Sequence, residues 1–357
     1  MDIAKVRLAN QFIDGSRLEH PADVVRALCA VQAQDYYAAL WAVGLRLPGA
    51  RQPLIEQTLN DRLIVRTWPM RGTLHLVASE DVRWLIELLA PRTLKRNAAR
   101  LEREFGIDAQ LIKQARKIVE RSLRDNHALT REQLYEQFDA HKIPSAKLRG
   151  LHILWWLAHE GVVCCGPRAG KQHTFVLLDE WIAARPKLTK DESLGKLATR
   201  YFAHHGPATV ADFAWWSGLT ITDAKLALDL VRSELTSVAE GETTWWSGPK
   251  VTTRRRTACH LLPVYDEFTV GYADRTASLD PGHADRQAAG HGIFRAPIVI
   301  HGRIVGSWTR ELKKDTALVR VTAFDRFTRE QRKLIDEAAD RYGDFLNVNA
   351  SVTVSKE

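Results

Sequence analysis

Cysteine is scarce in this chain. Four of its 357 residues are cysteines, Cys29, Cys164, Cys165 and Cys259, and they form no CxxC pair and no zinc-binding spacing. A disulfide framework is therefore not expected, and the pattern suits a reducing cytoplasm. Long apolar runs are missing as well. None reaches 18 residues, so no membrane-spanning helix is expected. The first ten residues hold no apolar stretch of the signal-peptide kind. GxxxxGK(S/T), HExxH and GxSxG are all absent, which leaves nucleotide hydrolysis, zinc proteolysis and α/β-hydrolase chemistry without support.

The residues that are present describe a globular protein. An apolar fraction of 45% beside 26% charged residues is enough to bury a core, and the length allows two or three domains. A net charge of +8 with a pI near 9.3 admits a polyanionic partner without demanding one. Tryptophan is abundant, with adjacent pairs at Trp155-Trp156, Trp215-Trp216 and Trp245-Trp246. Neighbours on a helix face about 100° apart, so the first two pairs are expected to bridge two packed faces.

The stretch from Cys29 to Leu47 organises the reading. It sets Gln32 and Gln34 around Ala33, between a helix over 21–30 and a helix over 36–47 with Asp35 as N-cap. Inside a helix, i and i+2 point about 200° apart; in an extended link they point the same way. If the helix starts after Asp35, two amides converge on one point. An amide is no strong base, but its donors and acceptor can hold a water in place. Two solvated loop residues are the plainer alternative.

In chain order, three helices followed by a hairpin recur three times. The first set has helices over 21–30, 36–47 and 53–63, then strands at 64–68 and 73–77. Ser79 is expected to cap the next helix. Further along, Arg92, Arg96, Arg100 and Arg103 fall on one side of a helix, as a solvated face or a phosphate-tracking stripe. The second set has a helix over 108–126, a helix opened by the capping box Thr130-Arg-Glu-Gln133, and a helix introduced by Pro144 and Ser145. Strands at 162–165 and 173–178 follow. Lys147 and Arg149 open its third helix, and Arg168 and Lys171 lie in its turn, where a winged helix meets backbone phosphate. The third set has helices over 192–205, from Thr209 and from Thr222, then strands around Glu240 and Glu242. An anionic tip repels phosphate, so this set is expected to be scaffold. From 249 the pattern turns to strands, with 265–275 read as extended, a polar insert over 280–292, a helix opened by Thr328, and a frayed tail. The expectation is an α+β chain of three tandem winged helix-turn-helix units around a β-rich C-terminal scaffold. The boundaries are 1–105, 106–185, 186–248 and 249–357.

Four stretches resemble the winged-helix DNA glycosylases typified by AlkZ and YcaQ. They are Ala30 to Asp35, Arg71 to His75, Gly206 to Gly218 and Leu262 to Arg275, in the family's order and across most of the chain. Gln–aliphatic–Gln marks the AlkZ-like branch and Gln–aliphatic–Asp the other, so Gln32-Ala33-Gln34 is AlkZ-like. The resemblance implies three tandem winged helices and removal of N-alkylated purines, in some members including interstrand crosslinks. No metal and no cofactor are expected.

On that reading Gln32 and Gln34 are catalytic, with Asp35 and His75 as assisting residues. His75 is equally readable as a core histidine. Arg71, Arg92, Arg96, Arg100, Arg103, Lys147, Arg149, Arg168, Lys171 and Arg286 are the DNA-binding candidates. The partner is double-stranded DNA, alkylated or crosslinked, met by a monomer with no membrane role. Candidates for a groove-probing hairpin are the 166–172 turn and the insert with His283, Arg286 and His291. His283, His291 and His301 do not match a closed metal site. Asp266 and Glu267, adjacent on a strand, would face opposite ways; one is expected to pair with Arg275 or another basic group. Arg254-Arg-Arg256 is open between phosphate contact and a solvated run. The alternative function is a non-catalytic winged-helix DNA-binding protein or transcription regulator. That rival binds intact duplex sequence-specifically; the glycosylase binds weakly, indifferently to sequence and salt-sensitively, and releases bases.

Overall fold

The computed structural model describes residues 1–249, 258–288, 290 and 295–356. Arg254 to Arg256 and His291 lie outside the described residues. The chain mixes helix and strand and divides into two compact units, Met1–Glu56 with Gly195–Glu357, and Gln57–Leu194. Among the described residues no helix is long and apolar enough to cross a membrane.

In the unit Gln57–Leu194, five strands run in the order Thr73–Ala78, Ile64–Met70, Val163–Ala169, Gln172–Leu177 and Leu129–Thr130, each antiparallel to its neighbour. Helix Ala109–Leu123 buries Ile112, Ala115, Ile118, Val119 and Leu123, one apolar stripe at helical spacing. Helices Arg131–Ala140 and Arg149–His159 add Leu134, Phe138, Leu154 and Leu157 to the same core, which Trp68 and Phe175 reach from the strands. The expected capping box is present: Thr130 Oγ1 accepts the Gln133 N–H, and Gln133 Oε1 accepts the Thr130 N–H. Strand Leu129–Thr130 is invisible to periodicity, because two residues carry no period. The basic segment belongs to one 24-residue helix, Val82–Phe105, which continues through the exposed Pro91 and stops at Gly106 in a left-handed conformation. Ser79 does not cap it. Its hydroxyl donates to the Arg62 carbonyl, and Asp81 holds the N-cap position.

In the other unit, helix Lys190–His205 from Gly195 on, then helices Val210–Ser217 and Ile221–Val231, precede the hairpin Thr236–Glu240 and Thr243–Ser247. Thr209 forms a capping box with Asp212, while Thr220, not Thr222, caps the following helix. Trp216 is fully buried and Trp215 is 53% exposed, so this tryptophan pair packs one face rather than two. A five-stranded sheet has the order Asn349–Lys356, Thr316–Ala323, Arg303–Lys313, Ala296–Ile300, Cys259–Leu261. Thr328 caps helix Arg329–Leu346 as expected. The tail does not fray: Asn347 turns the chain in a left-handed conformation, and Asn349–Lys356 pairs in parallel with Thr316–Ala323. The expected strand at 265–275 is also corrected. Tyr265 takes φ 63, and Asp266 caps a short helix Glu267–Val270 by accepting the Phe268 N–H. A left-handed residue cannot continue a strand, and the two acidic side chains turn inward.

Candidate active site

Helix Pro21–Leu28 ends where Cys29 takes φ 68. The chain then forms a two-residue strand, Val31–Gln32, and bends at Gln34 and Asp35; Asp35, with φ −95 and ψ 118, caps helix Tyr36–Gly44 by accepting the Ala38 N–H at 2.9 Å. Burial alternates along this link. Val31 and Ala33 are fully buried, Gln32 is half-buried, and Gln34 is exposed. That alternation is the signature of an extended segment. Asp35 is exposed, with Oδ1 committed to the helix terminus.

The link is held from below. The Gln32 main-chain N–H donates to Glu267 Oε1 at 3.0 Å. Glu267 Oε2 accepts the Trp216 Nε1–H at 2.8 Å and lies 3.2 Å from His205 Nε2. All three of these side chains are fully buried. Burial pushes the His205 pKa down. At the far end of the segment, the buried Arg46 forks onto Asp266 at 2.8 and 2.9 Å. Its remaining N–H groups donate to the Ala42 carbonyl and to the main chain and side chain of Gln11. One of the adjacent acidic residues thus does pair with a basic group, Asp266 with Arg46. Gly44 has no alternative, since a Cβ there would sit 2.3 Å from the Phe345 ring. A cavity of about 90 Å³ beside the start of the motif helix is lined by Asp35, Ala38, Trp41, Trp308 and Arg310 among others. Pockets that enclose an organic ligand hold roughly 300–1,000 Å³.

His75 belongs to the unit Gln57–Leu194 and is fully buried. Its Nδ1 lies 2.9 Å from the Thr73 carbonyl and its Nε2 3.2 Å from the Arg71 guanidinium, which assigns Nδ1–H as donor and Nε2 as acceptor. In that state it orients Arg71 at the hairpin turn. Arg92, Arg96 and Arg103 are exposed on helix Val82–Phe105, while Arg100 and Arg103 both contact Glu104. Lys147 and Lys171 are exposed. Arg149 instead donates to the Gly106 carbonyl, 43 residues away, and Arg168 to the Lys171 carbonyl within its own turn. Arg168, Arg66 and Arg131 surround His173, whose pKa burial and these charges together push down to about 4. Arg286 lies in the other unit, donating to the Ala323 and Phe324 carbonyls. His283 faces Asp325 at 3.3 Å.

Two features escaped the sequence reading. Glu267 joins segments 235 residues apart, beyond any local signal. The hairpin of Arg303–Lys313 and Thr316–Ala323 exposes Leu312 (55%) beside Lys313 and Lys314, a turn that its basic pair could have flagged.

The comparisons agree with this architecture. The family model for AlkZ-like DNA glycosylases matches residues 25–345. The chain is 29% identical over 318 residues to the interstrand DNA cross-link repair glycosylase of Streptomyces sahachiroi, covering 85% of each. It superposes on the Streptomyces sahachiroi DNA glycosylase AlkZ with a TM-score of 0.83 and 25% identity, over 99% of this chain and 98% of that one. This chain belongs to the AlkZ-like DNA glycosylase family.

Proposed function

We propose that this chain is a monofunctional DNA glycosylase that hydrolyses the N-glycosidic bond of N7-alkylated purines, with the attacking water held by Gln32 and Gln34. The observation that carries the reading is the alternation of burial around Ala33, which gives the two glutamines a common side just before a capped helix.

The chemistry matches such a site. An N7-alkylated purine is already cationic, so the C1′–N9 bond breaks with its electron pair leaving on the base, which becomes neutral. Water attacks C1′ of the oxocarbenium-like sugar and yields an abasic site, the free base and one proton. No strong acid is required, which agrees with a motif lacking paired carboxylates. The amides orient the water; the exposed Asp35 is assigned to favour the sugar cation by its charge and to take the proton.

Extruding a base costs a few kcal/mol, and a crosslinked base cannot leave the stack freely. The reading extends to crosslinks of the kind named for the Streptomyces relative, with attack that does not need full extrusion. The exposed Leu312, followed by Lys313 and Lys314, suits a groove probe better than Arg286 does. DNA binding is assigned to Arg71, Arg92, Arg96, Lys147 and Lys171.

The test is incubation with an N7-methylguanine duplex and with a crosslinked duplex, scoring abasic sites by strand cleavage. Base release lost in both Gln32→Ala and Gln34→Ala, with folding and DNA binding kept, supports the assignment. Sequence-specific binding to intact duplex with no release would favour a regulator instead.

A further inference from the structure

Asp266 and Glu267 hold the motif segment at both ends. Asp266 grips Arg46 beyond helix Tyr36–Gly44. Glu267 grips the Gln32 peptide ahead of it. The main chain between is fixed at each step: at Gln32 by the carboxylate, at Ala33 by complete burial, and at Asp35 by the cap. The Cα–Cβ bonds of Gln32 and Gln34 leave from that fixed main chain. A carboxylate so far from water persists only where donors satisfy it. Here they come from three distant segments, at Gln32, His205 and Trp216.

We propose that Glu267 is a positioning residue for base release: by pinning the Gln32 peptide it sets the direction in which both amides leave the link. The proposal rests on the amide pair being catalytic. It goes further in assigning the alignment to a buried anion anchored on helices Lys190–His205 and Val210–Ser217. Misplacement by an ångström is costly in rate while leaving ground-state binding intact.

The hydrogen-bond geometry supplies a discriminating variant. Glu267→Gln keeps one acceptor. With its carbonyl on Gln32, its NH₂ finds His205 Nε2, which accepts once the imidazole carries its proton on Nδ1, an atom with no hydrogen-bond partner among the described residues. The same NH₂ then meets the Trp216 Nε1–H donor against donor. With the carbonyl on Trp216, the hydrogen bond from the Gln32 N–H to residue 267 is lost. Trp216→Phe removes the conflict, so the double variant W216F/E267Q recovers the anchored link.

The experiment measures single-turnover base release from an N7-methylguanine duplex, affinity for the same duplex, and hydrogen exchange over residues 30–35 by mass spectrometry. It uses the full chain in E267Q, W216F/E267Q, Q32A and Q34A. E267Q is expected to slow release by about 10–100-fold, to keep its DNA affinity, and to exchange faster at the link. The double variant regains at least about tenfold of that rate and the wild-type exchange. If E267Q does not fold, E267D, the same charge withdrawn by one methylene, takes its place with the same expected slowing. Wild-type release by the Glu267 variant while Q32A and Q34A are inactive overturns the positioning role alone. So does unchanged exchange at the link, or a double variant no faster than E267Q. Wild-type release in Q32A and Q34A overturns the amide reading and this proposal together.

Discussion

Helices Ala109–Leu123, Arg131–Ala140 and Arg149–His159 with their hairpin follow the same order as helices Lys190–His205, Val210–Ser217 and Ile221–Val231 with theirs. The second helix of each set opens on a threonine capping box, Thr130 with Gln133 and Thr209 with Asp212. Each hairpin gains a short third partner, Thr130 against Thr174 in one and Ala208 against Trp246 in the other. The exteriors differ. One hairpin turn presents Lys171; the other presents Glu240 and Glu242, with Glu240 near the N-terminal ammonium. Helix Ile221–Val231 exposes Ile221, Leu226 and Leu230 where a DNA reader would carry cations. Caps and apolar spacing set the plan, while charge at the tip sets which surface can approach phosphate.

The largest expected effect separates both sets from the chemistry. Gln32→Ala or Gln34→Ala should lower single-turnover base release by about 10²–10³-fold, the scale of losing one oriented polar group at a reacting centre, and leave DNA affinity intact. Lys171→Glu should do the reverse, weakening affinity while the rate at saturating DNA holds. A Gln variant that loses affinity rather than rate would place the motif among the binding residues.

Acid should destabilise both sets alike. Burial pushes the pKa of His159 in one and His204 in the other down to about 4. Between pH 6.5 and 4 the unfolded chain takes up a proton that each folded site refuses. Stability is therefore complete above pH 6.5 and declines as pH falls toward 4, by about 3 kcal/mol per residue at most. Urea unfolding at pH 7 and pH 4.5 measures it. His159→Gln and His204→Gln should each reduce the pH slope by one proton. An unchanged slope in either would mean that its imidazole is charged in the fold.

These sets show why part of the molecule could be read in advance. Capping boxes at Thr130, Thr209 and Thr328, and the Asp35 cap, depend on residues three apart, so local sequence contains them. The Gln–Ala–Gln alternation is equally local. Two local assignments failed, Ser79 and Thr222 as caps; the larger failures were long-range. Strand Leu129–Thr130 exists because Gln172–Leu177 pairs with it, and the tail is a strand because Thr316–Ala323 offers an open edge. Residues 265–270 have strand-like composition. They turn into a helix because Asp266 and Glu267 are drawn to Arg46 and to His205 and Trp216, partners far away in sequence. Candidate cations were recognisable as cations. That Arg149, Arg168 and Arg286 reach backbone carbonyls was not.

Charge reversal at the two tips tests the contrast directly. Lys171→Glu should flatten the dependence of DNA affinity on salt, by about one unit in log–log slope for each phosphate that is no longer neutralised. Glu240→Lys should leave that slope as it is or steepen it slightly. Fluorescence anisotropy from 50 to 200 mM salt reads both. A fall in affinity for Glu240→Lys comparable to that of Lys171→Glu would erase the distinction between reader and scaffold.

The smallest effect asks whether the shared plan is also shared energetics. Thr130→Ala and Thr209→Ala each remove a side-chain acceptor from a first-turn N–H and leave the reciprocal Gln133 or Asp212 hydrogen bond in place. Loss of an N-cap costs about 1 kcal/mol. Thr209 precedes Val210–Ser217, the helix that carries Trp216 to Glu267, so its loss should also speed hydrogen exchange at residues 30–35. Thr130 caps Arg131–Ala140, which carries neither Trp216 nor His205. Equal destabilisation with exchange at the link altered by Thr209→Ala alone would show that two like-built caps differ only in what their helices hold.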